Sequence, residues 1–280
     1  MKIIKTAKGI FDWKSKITSS VGFIPTMGAL HQGHLSLVSK SKTLCDYSVV
    51  SIFINPAQFA PNEDFNAYPK TLEKDVDLLC GVGVDILFLP TEEEMYTKVQ
   101  DVDVPSSDLF QKLEGLSRPH FFYGVTKIVS KLFNVISPTH TFFGEKDAQQ
   151  LVIIQEMISK MNYPIDLISC PTIRDKNGLA LSSRNQYLSQ LERVEAAHFG
   201  KSLLKIKKFI KEGELNTSVL KNKFKMSLSV SKKITLDYIS IANKKTLNEI
   251  DVIQGDVLIS AAIFFNEVRL IDNFTYHSST

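Results

Sequence analysis

Over its first 170 residues the chain alternates short β-branched and aromatic runs with longer stretches whose apolar positions follow a helical period. Few folds accept that alternation: it calls for a parallel sheet with crossover helices. Strands are expected at 21–25 (VGFIP), 49–54 (VVSIFI), 84–89 (VDILFL), 141–143 and 165–169. Helices are expected to open near Gly33 and to cover 71–79, 125–136 and 148–161. The stretch 55–68 reads as a loop, broken by Pro56, Pro61 and Asn62. After about residue 173 the texture changes. Helical stretches at 190–211 and 216–230 precede strand-like runs at 236–241, 256–265 and 267–271. The expected fold class is therefore α/β, with a parallel-sheet domain over 1–172 and a smaller α+β domain over 173–280. Ligands of such sheets lie beyond the carboxyl ends of the strands, so the turns after strands are the places to search.

Composition narrows the partners. Lys and Arg total 33 against 30 acidic residues, a net charge of +3, too mild to imply nucleic acid. Residues 196–235 hold ten lysines against Glu212 and Glu214. However, Phe199, Phe209 and Phe224 fall at apolar-face spacing, so the lysines read as solvated helix faces and no nucleic-acid partner is expected. Cys45, Cys80 and Cys170 are too far apart for a zinc motif and read as small reduced hydrophobes in or near a core. No run approaches the ~20 apolar residues of a membrane span, and the N-terminus lacks a signal-type apolar region. A soluble, cytoplasmic protein without membrane attachment is expected.

Three segments carry chemistry. Residues 25–34 (PTMGALHQGH) sit between a strand and a helix. Gly28 and Gly33 allow close backbone approach to a ligand. The helix start favours an anion, and His31 and His34, three apart, can face one point. Two imidazoles there suit a phosphate chain better than a metal. Residues 144–147 (GEKD) also follow a strand; Lys146 can neutralise phosphate oxygens, and one of Gln149 and Gln150 can hydrogen-bond at the helix start. Residues 181–185 (LSSRN) add two hydroxyls and the planar fork of Arg184.

In combination these segments resemble the nucleotidylyltransferase superfamily. Within it the chain is similar to the pantoate–β-alanine ligase family, through PTMGALHQGH, VVSIFINPAQF with AYPKTLEKD, SRP…GV, FFGEKDAQQL, GLALSSRNQYLS and RLIDNF, in that order and nearly end to end. The resemblance implies a Rossmann-like nucleotide domain, a C-terminal lid and a homodimer, with VVSIFI near its interface. It implies ATP-dependent joining of (R)-pantoate to β-alanine through a pantoyl-adenylate, with release of AMP and pyrophosphate, as a step of pantothenate and coenzyme A biosynthesis. By the same resemblance, Met27, Gly28, Ala29, Leu30, His31, Gln32, Gly33 and His34 line the ATP site. Gly144, Glu145, Lys146 and Asp147 continue it, and Ile173, Leu181, Ser182, Ser183 and Arg184 close over adenine and triphosphate. His34, His31 and Lys146 are the catalytic candidates. Gln58 and Gln150 hold pantoate, with Asn55 and Tyr68 shaping the pocket. Asp75 and Asp147 are candidates for contact with Mg²⁺.

The family usually reads R-P-x-H-F-x-G-V where this chain has residues 118–125 as RPHFFYGV. Phe121 takes the histidine's slot and Tyr123 that of a frequent basic residue, so no histidine role carries over there. Arg118 keeps its place and is expected to add positive potential. Two other readings share features with this one: a nucleotidylyltransferase acting on a phosphate monoester, which needs neither Gln58 nor Gln150, and an RNA-binding derivative using the 196–235 lysines.

Overall fold

The computed structural model describes residues 1–60 and 63–278, so the expected breakers Pro61 and Asn62 lie outside the described residues. Six strands form one parallel sheet: β1 (Lys2–Ile4), β2 (Val21–Thr26), β3 (Tyr47–Ile52), β4 (Ile86–Phe88), β5 (His140–Gly144) and β6 (Asp166–Cys170). Their spatial order is β1-β4-β3-β2-β5-β6. Six helices accompany them: α1 (Ala7–Lys14), α2 (Gln32–Leu44), α3 (Leu72–Gly81), α4 (Glu114–Ser117), α5 (Phe121–Ile136) and α6 (Ala148–Lys160).

Alternate strand residues point to opposite faces, and here both faces are apolar because both are covered. Val21, Phe23, Val49, Ile86 and Phe88 pack into one cluster with residues of α1, α5 and α6. Their neighbours Ile24, Val50, Ile52 and Leu87 pack into another with α2 and α3. Burial on both faces accounts for the apolar run VVSIFI, since β3 is an interior strand. Helix α5 opens four residues before the expected start, at Phe121, and twelve of its sixteen residues are buried.

The second fold element set comprises α7 (Gln190–Lys211), α8 (Thr217–Leu228), β7 (Ile234–Asn243), β8 (Val257–Phe265) and β9 (Val268–Tyr276). The strands form an antiparallel sheet in the order β7-β8-β9. Ser189 and Glu192 make a capping box that starts α7. Phe199 and Phe224 are fully buried in the core between helices and sheet. Phe209 is partly buried, with the Lys223 ammonium 4.4 Å from its ring centre.

Two compact units result: Met1–Gly144 with Gln150–Cys170, and Glu145–Gln149 with Pro171–Thr280. The expected boundary kept 1–172 together, whereas Glu145–Gln149 groups with the second unit. None of the three cysteines forms a disulfide; Cys170 is buried and Cys45 half-buried, but Cys80 is exposed, contrary to its expected place near a core. Among the described residues no helix is long and apolar enough to cross a membrane.

Candidate active site

The sheet reverses its winding between β2 and β5. The chain leaving β2 returns on one side at β3, and the chain leaving β5 returns on the other at β6. A crevice opens beyond the carboxyl ends of such a strand pair. The loop that follows Thr26 stands there. Thr26 Oγ1 donates to the Ser51 carbonyl and accepts from the Gly28 N–H, closing the strand end. Gly28 and Ala29 then adopt left-handed φ values of 81° and 51°. That twist lays two consecutive N–H groups on one carboxylate: Ala29 donates to Asp75 Oδ2 and Leu30 to Oδ1, each at 2.8 Å. Thr71 Oγ1 adds a third bond at 3.2 Å. Asp75 is 1% exposed. Its carboxylate, expected as a Mg²⁺ contact, braces the loop. Leu30, expected in the ATP site, buries its side chain in the core.

His31 is the N-cap of α2. Its Nδ1 accepts from the Gly33 N–H at 3.1 Å, and His34 Nδ1 accepts from the His31 N–H at 3.4 Å. The rings stack with centres 4.1 Å apart. A neutral imidazole whose Nδ1 accepts must carry its proton on Nε2. Both rings are therefore donors at Nε2 while neutral, at a helix end whose dipole favours anions. Gln32 is exposed beside them.

A second cluster surrounds Gln58. Its Nε2 donates to Met27 Sδ at 2.7 Å, and its Oε1 accepts from Asn55 Nδ2 at 3.2 Å. Asn55 also donates to the Gly124 carbonyl and accepts from the Ala57 N–H and the Tyr96 hydroxyl. Asn55 thus anchors Gln58. A Cβ at Gly124 would lie 2.2 Å from the Ala57 carbonyl oxygen, so only glycine lets α5 approach this turn. Tyr96 sits in a π-helical turn, Glu94–Lys98, whose Met95 carbonyl accepts from the buried Lys131 ammonium. Burial first, then the nearby charges of Glu92 and Asp101, push the Tyr96 phenol up to about 12. Tyr68 is buried edge-on against Phe59, and Gln150 is half-buried near the start of α6.

Arg118 pairs with both carboxylate oxygens of Glu63 at 2.5 Å and lies 3.7 Å from the centre of the Phe121 ring. Its charge is therefore matched locally, which corrects the expected gift of positive potential. Phe121, in the histidine's slot, supplies the ring on which that guanidinium rests.

The remaining expected residues fall in the second unit. Lys146 is half-buried, its ammonium 3.7 Å from Asp147 Oδ1, and Asp147 is half-exposed. Ile173 and Leu181 are joined by a backbone hydrogen bond from the Leu181 N–H to the Ile173 carbonyl. Within this hairpin, Asp175 Oδ1 accepts from the Asn177 and Leu179 N–H groups, and Gly178 takes φ 95°. Ser182 caps the short helical turn Ser183–Tyr187 by accepting from the Arg184 N–H. Arg174, Asp272 and Asn273, to which sequence reasoning gave no role, hold this set together. For Asp272 and Asn273 the only signal was the motif RLIDNF, and Arg174 lies outside it. Tyr96 had no signal at all.

A protein-built metal centre does not fit. Among the described residues no group of three or more His, Cys, Asp or Glu could hold a metal. The Asp75 oxygens already accept backbone N–H groups, and Asp147 is a lone carboxylate.

Residues 2–275 match the family model described as pantoate-beta-alanine ligase. The chain belongs to the pantoate–β-alanine ligase family. It is 47% identical over 254 residues to a pantothenate synthetase of Fervidobacterium nodosum, covering 91% of this chain and 90% of that one. It is 42% identical to that of Acetivibrio thermocellus, covering 98% of both. A crystal structure of the Thermus thermophilus pantothenate synthetase superposes with TM-score 0.92 at 36% identity, covering 98% and 99%. The Francisella tularensis ligase, solved with β-γ ATP and β-alanine, superposes with TM-score 0.76 at 33% identity, covering 98% and 97%. Within this family the chain is a Rossmann-like ligase whose signature histidines stand at the winding switch of its sheet.

Proposed function

We propose that this chain condenses (R)-pantoate with β-alanine using ATP, through a pantoyl-adenylate, and releases AMP and pyrophosphate. The observation that carries the reading is the paired histidine cap at the switch point, two imidazoles whose Nδ1 atoms are engaged by backbone N–H groups where an anion is favoured. In the first step a pantoate carboxylate oxygen attacks the α-phosphorus of ATP, and the bond to pyrophosphate breaks. Negative charge grows on the phosphoryl oxygens, where preorganised donors act most strongly. His34 and His31 supply two Nε2–H donors, and Lys146, Ser182, Ser183 and Arg184 supply the rest. Gln58 and Gln150 bind pantoate as neutral partners, so its carboxylate is not locked in a salt bridge. In the second step the amine of β-alanine attacks the acyl carbon, AMP leaves with the bonding pair, and the amine proton passes to solvent. That step needs mainly orientation. Mg²⁺ would arrive on the nucleotide phosphates, as is usual for this ion, with Asp147 able to offer one oxygen; no step is assigned to it. The family resemblance also leads us to place the enzyme in the cytoplasm as a homodimer.

Pyrophosphate–ATP exchange with pantoate present and β-alanine absent tests the reading. Pantoate-dependent exchange is expected. No exchange, together with no amide after β-alanine is added, would overturn it.

A further inference from the structure

We infer that Asp272 and Asn273, neighbours on β9, are positioning residues that set two phosphate-facing segments in register with one another. The inference rests on the reading of Lys146 and residues 182–184 as phosphate contacts. Asn273 Nδ2 donates to the Glu145 carbonyl at 3.0 Å and to the Lys146 carbonyl at 2.7 Å. It therefore fixes the two peptide planes from which the Lys146 side chain departs. Asp272 binds Arg174 through both oxygens, at 2.6 and 2.8 Å. Arg174 Nη1 also donates to the Gly178 carbonyl at 3.1 Å, so the guanidinium ties the hairpin that leads into Leu181 and Ser182.

Adjacent residues of a strand project to opposite faces, so one short stretch of β9 reaches two segments. The two grips are also joined to each other, because Asp272 Oδ1 accepts the Asn273 N–H at 2.8 Å. Helix α7 leaves room for them. A Cβ at Gly200 would lie 2.8 Å from the Gly178 carbonyl, 3.1 Å from Arg174 Nη1 and 3.2 Å from Asp272 Oδ2. Asp272 is 2% exposed. A buried ion pair adds little net stability over an apolar pair of the same size. What it supplies here is direction: a planar, two-pronged contact admits one orientation of the hairpin.

The test is a double-mutant cycle in pyrophosphate–ATP exchange on the full chain. Asn273→Ala is expected to lower kcat about tenfold, the effect of one to two lost hydrogen bonds, and to leave the KM for pantoate unchanged. In a Lys146→Ala background the same change should cost less than about twofold, because the two residues act as a unit. Independent, multiplying losses would overturn the role of Asn273 in aiming Lys146. Should the alanine variant fail to fold, Asn273→Ser keeps one donor and should lose about threefold; a wild-type rate from it would overturn the inference. Asp272→Asn should raise the KM for ATP and not that for pantoate, and an unchanged ATP KM would overturn the hairpin half. If Lys146→Ala alone keeps the wild-type rate, the reading of Lys146 fails and the inference falls with it.

Discussion

Replacing Asp75 by Asn separates a loop brace from a metal contact. The carboxylate receives the N–H groups of Ala29 and Leu30 and the Thr71 hydroxyl in a site closed to water. The amide of Asn can accept at one oxygen only, and its NH₂ faces an N–H that no longer has a partner. An unsatisfied buried donor costs about 1–3 kcal/mol, more when the lost partner was charged, so a loss of about 2–3 kcal/mol is expected. At about 2–4 °C per kcal/mol for a chain approaching this size, melting should fall by about 4–12 °C. The fold should survive, since natural stabilities run to about 5–15 kcal/mol. The released N–H groups belong to the two residues before His31. A displacement of the histidines by about 1 Å costs on the order of a hundredfold, so exchange at saturating ATP should fall about 10–100-fold. Calorimetry, pyrophosphate exchange and a Mg²⁺ titration read the three quantities. Unchanged melting with a raised Mg²⁺ requirement would make Asp75 a metal contact and refute the brace. Lowered melting with a normal exchange rate would show that the loop does not set the histidines.

Five further outcomes are expected. His34→Ala and Lys146→Ala should each lower kcat by about 10²–10³-fold with little change in melting, and near-normal turnover would mean the site lies elsewhere. Gly124→Ala forces a Cβ onto the Ala57 carbonyl at 2.2 Å; it should destabilise by about 1–3 kcal/mol and raise the KM for pantoate, and an unmoved KM would detach this contact from Gln58. Tyr96→Phe removes the hydroxyl that holds Asn55 and should raise the pantoate KM about 3–10-fold without touching that for ATP. The Tyr96 phenol, raised to about 12, keeps its proton in the folded chain after the unfolded chain has lost it. Its contribution is therefore present below the unfolded value near 10 and lost as pH rises toward 12; an alkaline unfolding curve identical in the Phe variant would contradict this. Finally, a lid role for the second unit requires ATP with pantoate to shrink the scattering radius, and unchanged scattering would exclude it.

Legibility followed burial. The interior strands β2, β3 and β4 are apolar on both faces, and their continuous runs stand out in the sequence. Strand β1 and helix α1 do not: the strand is three residues at a sheet edge and the segment is rich in lysine. Strand β9 runs to Tyr276, five residues past its expected end, because Asp272 and Asn273 interrupt the apolar pattern. Those two are polar for a reason invisible along the chain, since their partners lie 98 and 127 residues away. The same limit applies at the site. Residue type and spacing single out His31, His34 and Lys146, and the family resemblance adds Gln58, but neither tells which atoms the fold already occupies. Asn55 and Asp75 also hold the fold's own groups, through bonds to Gly124, Tyr96, Ala29 and Leu30 that no spacing discloses.

The bonds from Asn273 to the Glu145–Lys146 turn also order events in time. Lys146 leaves the ribosome 127 residues before its partner. At about 5–20 residues per second that interval lasts about 6–25 s. During it the parallel strands can pair while the lysine turn between β5 and α6 has nothing to pin it. A chain that stops short of β9 would hold all six parallel strands and both histidines without the Asn273 bonds to the lysine turn. Such a fragment would work at about a tenth of the full rate or less, and nascent chains would consume little ATP on an adenylate they cannot finish.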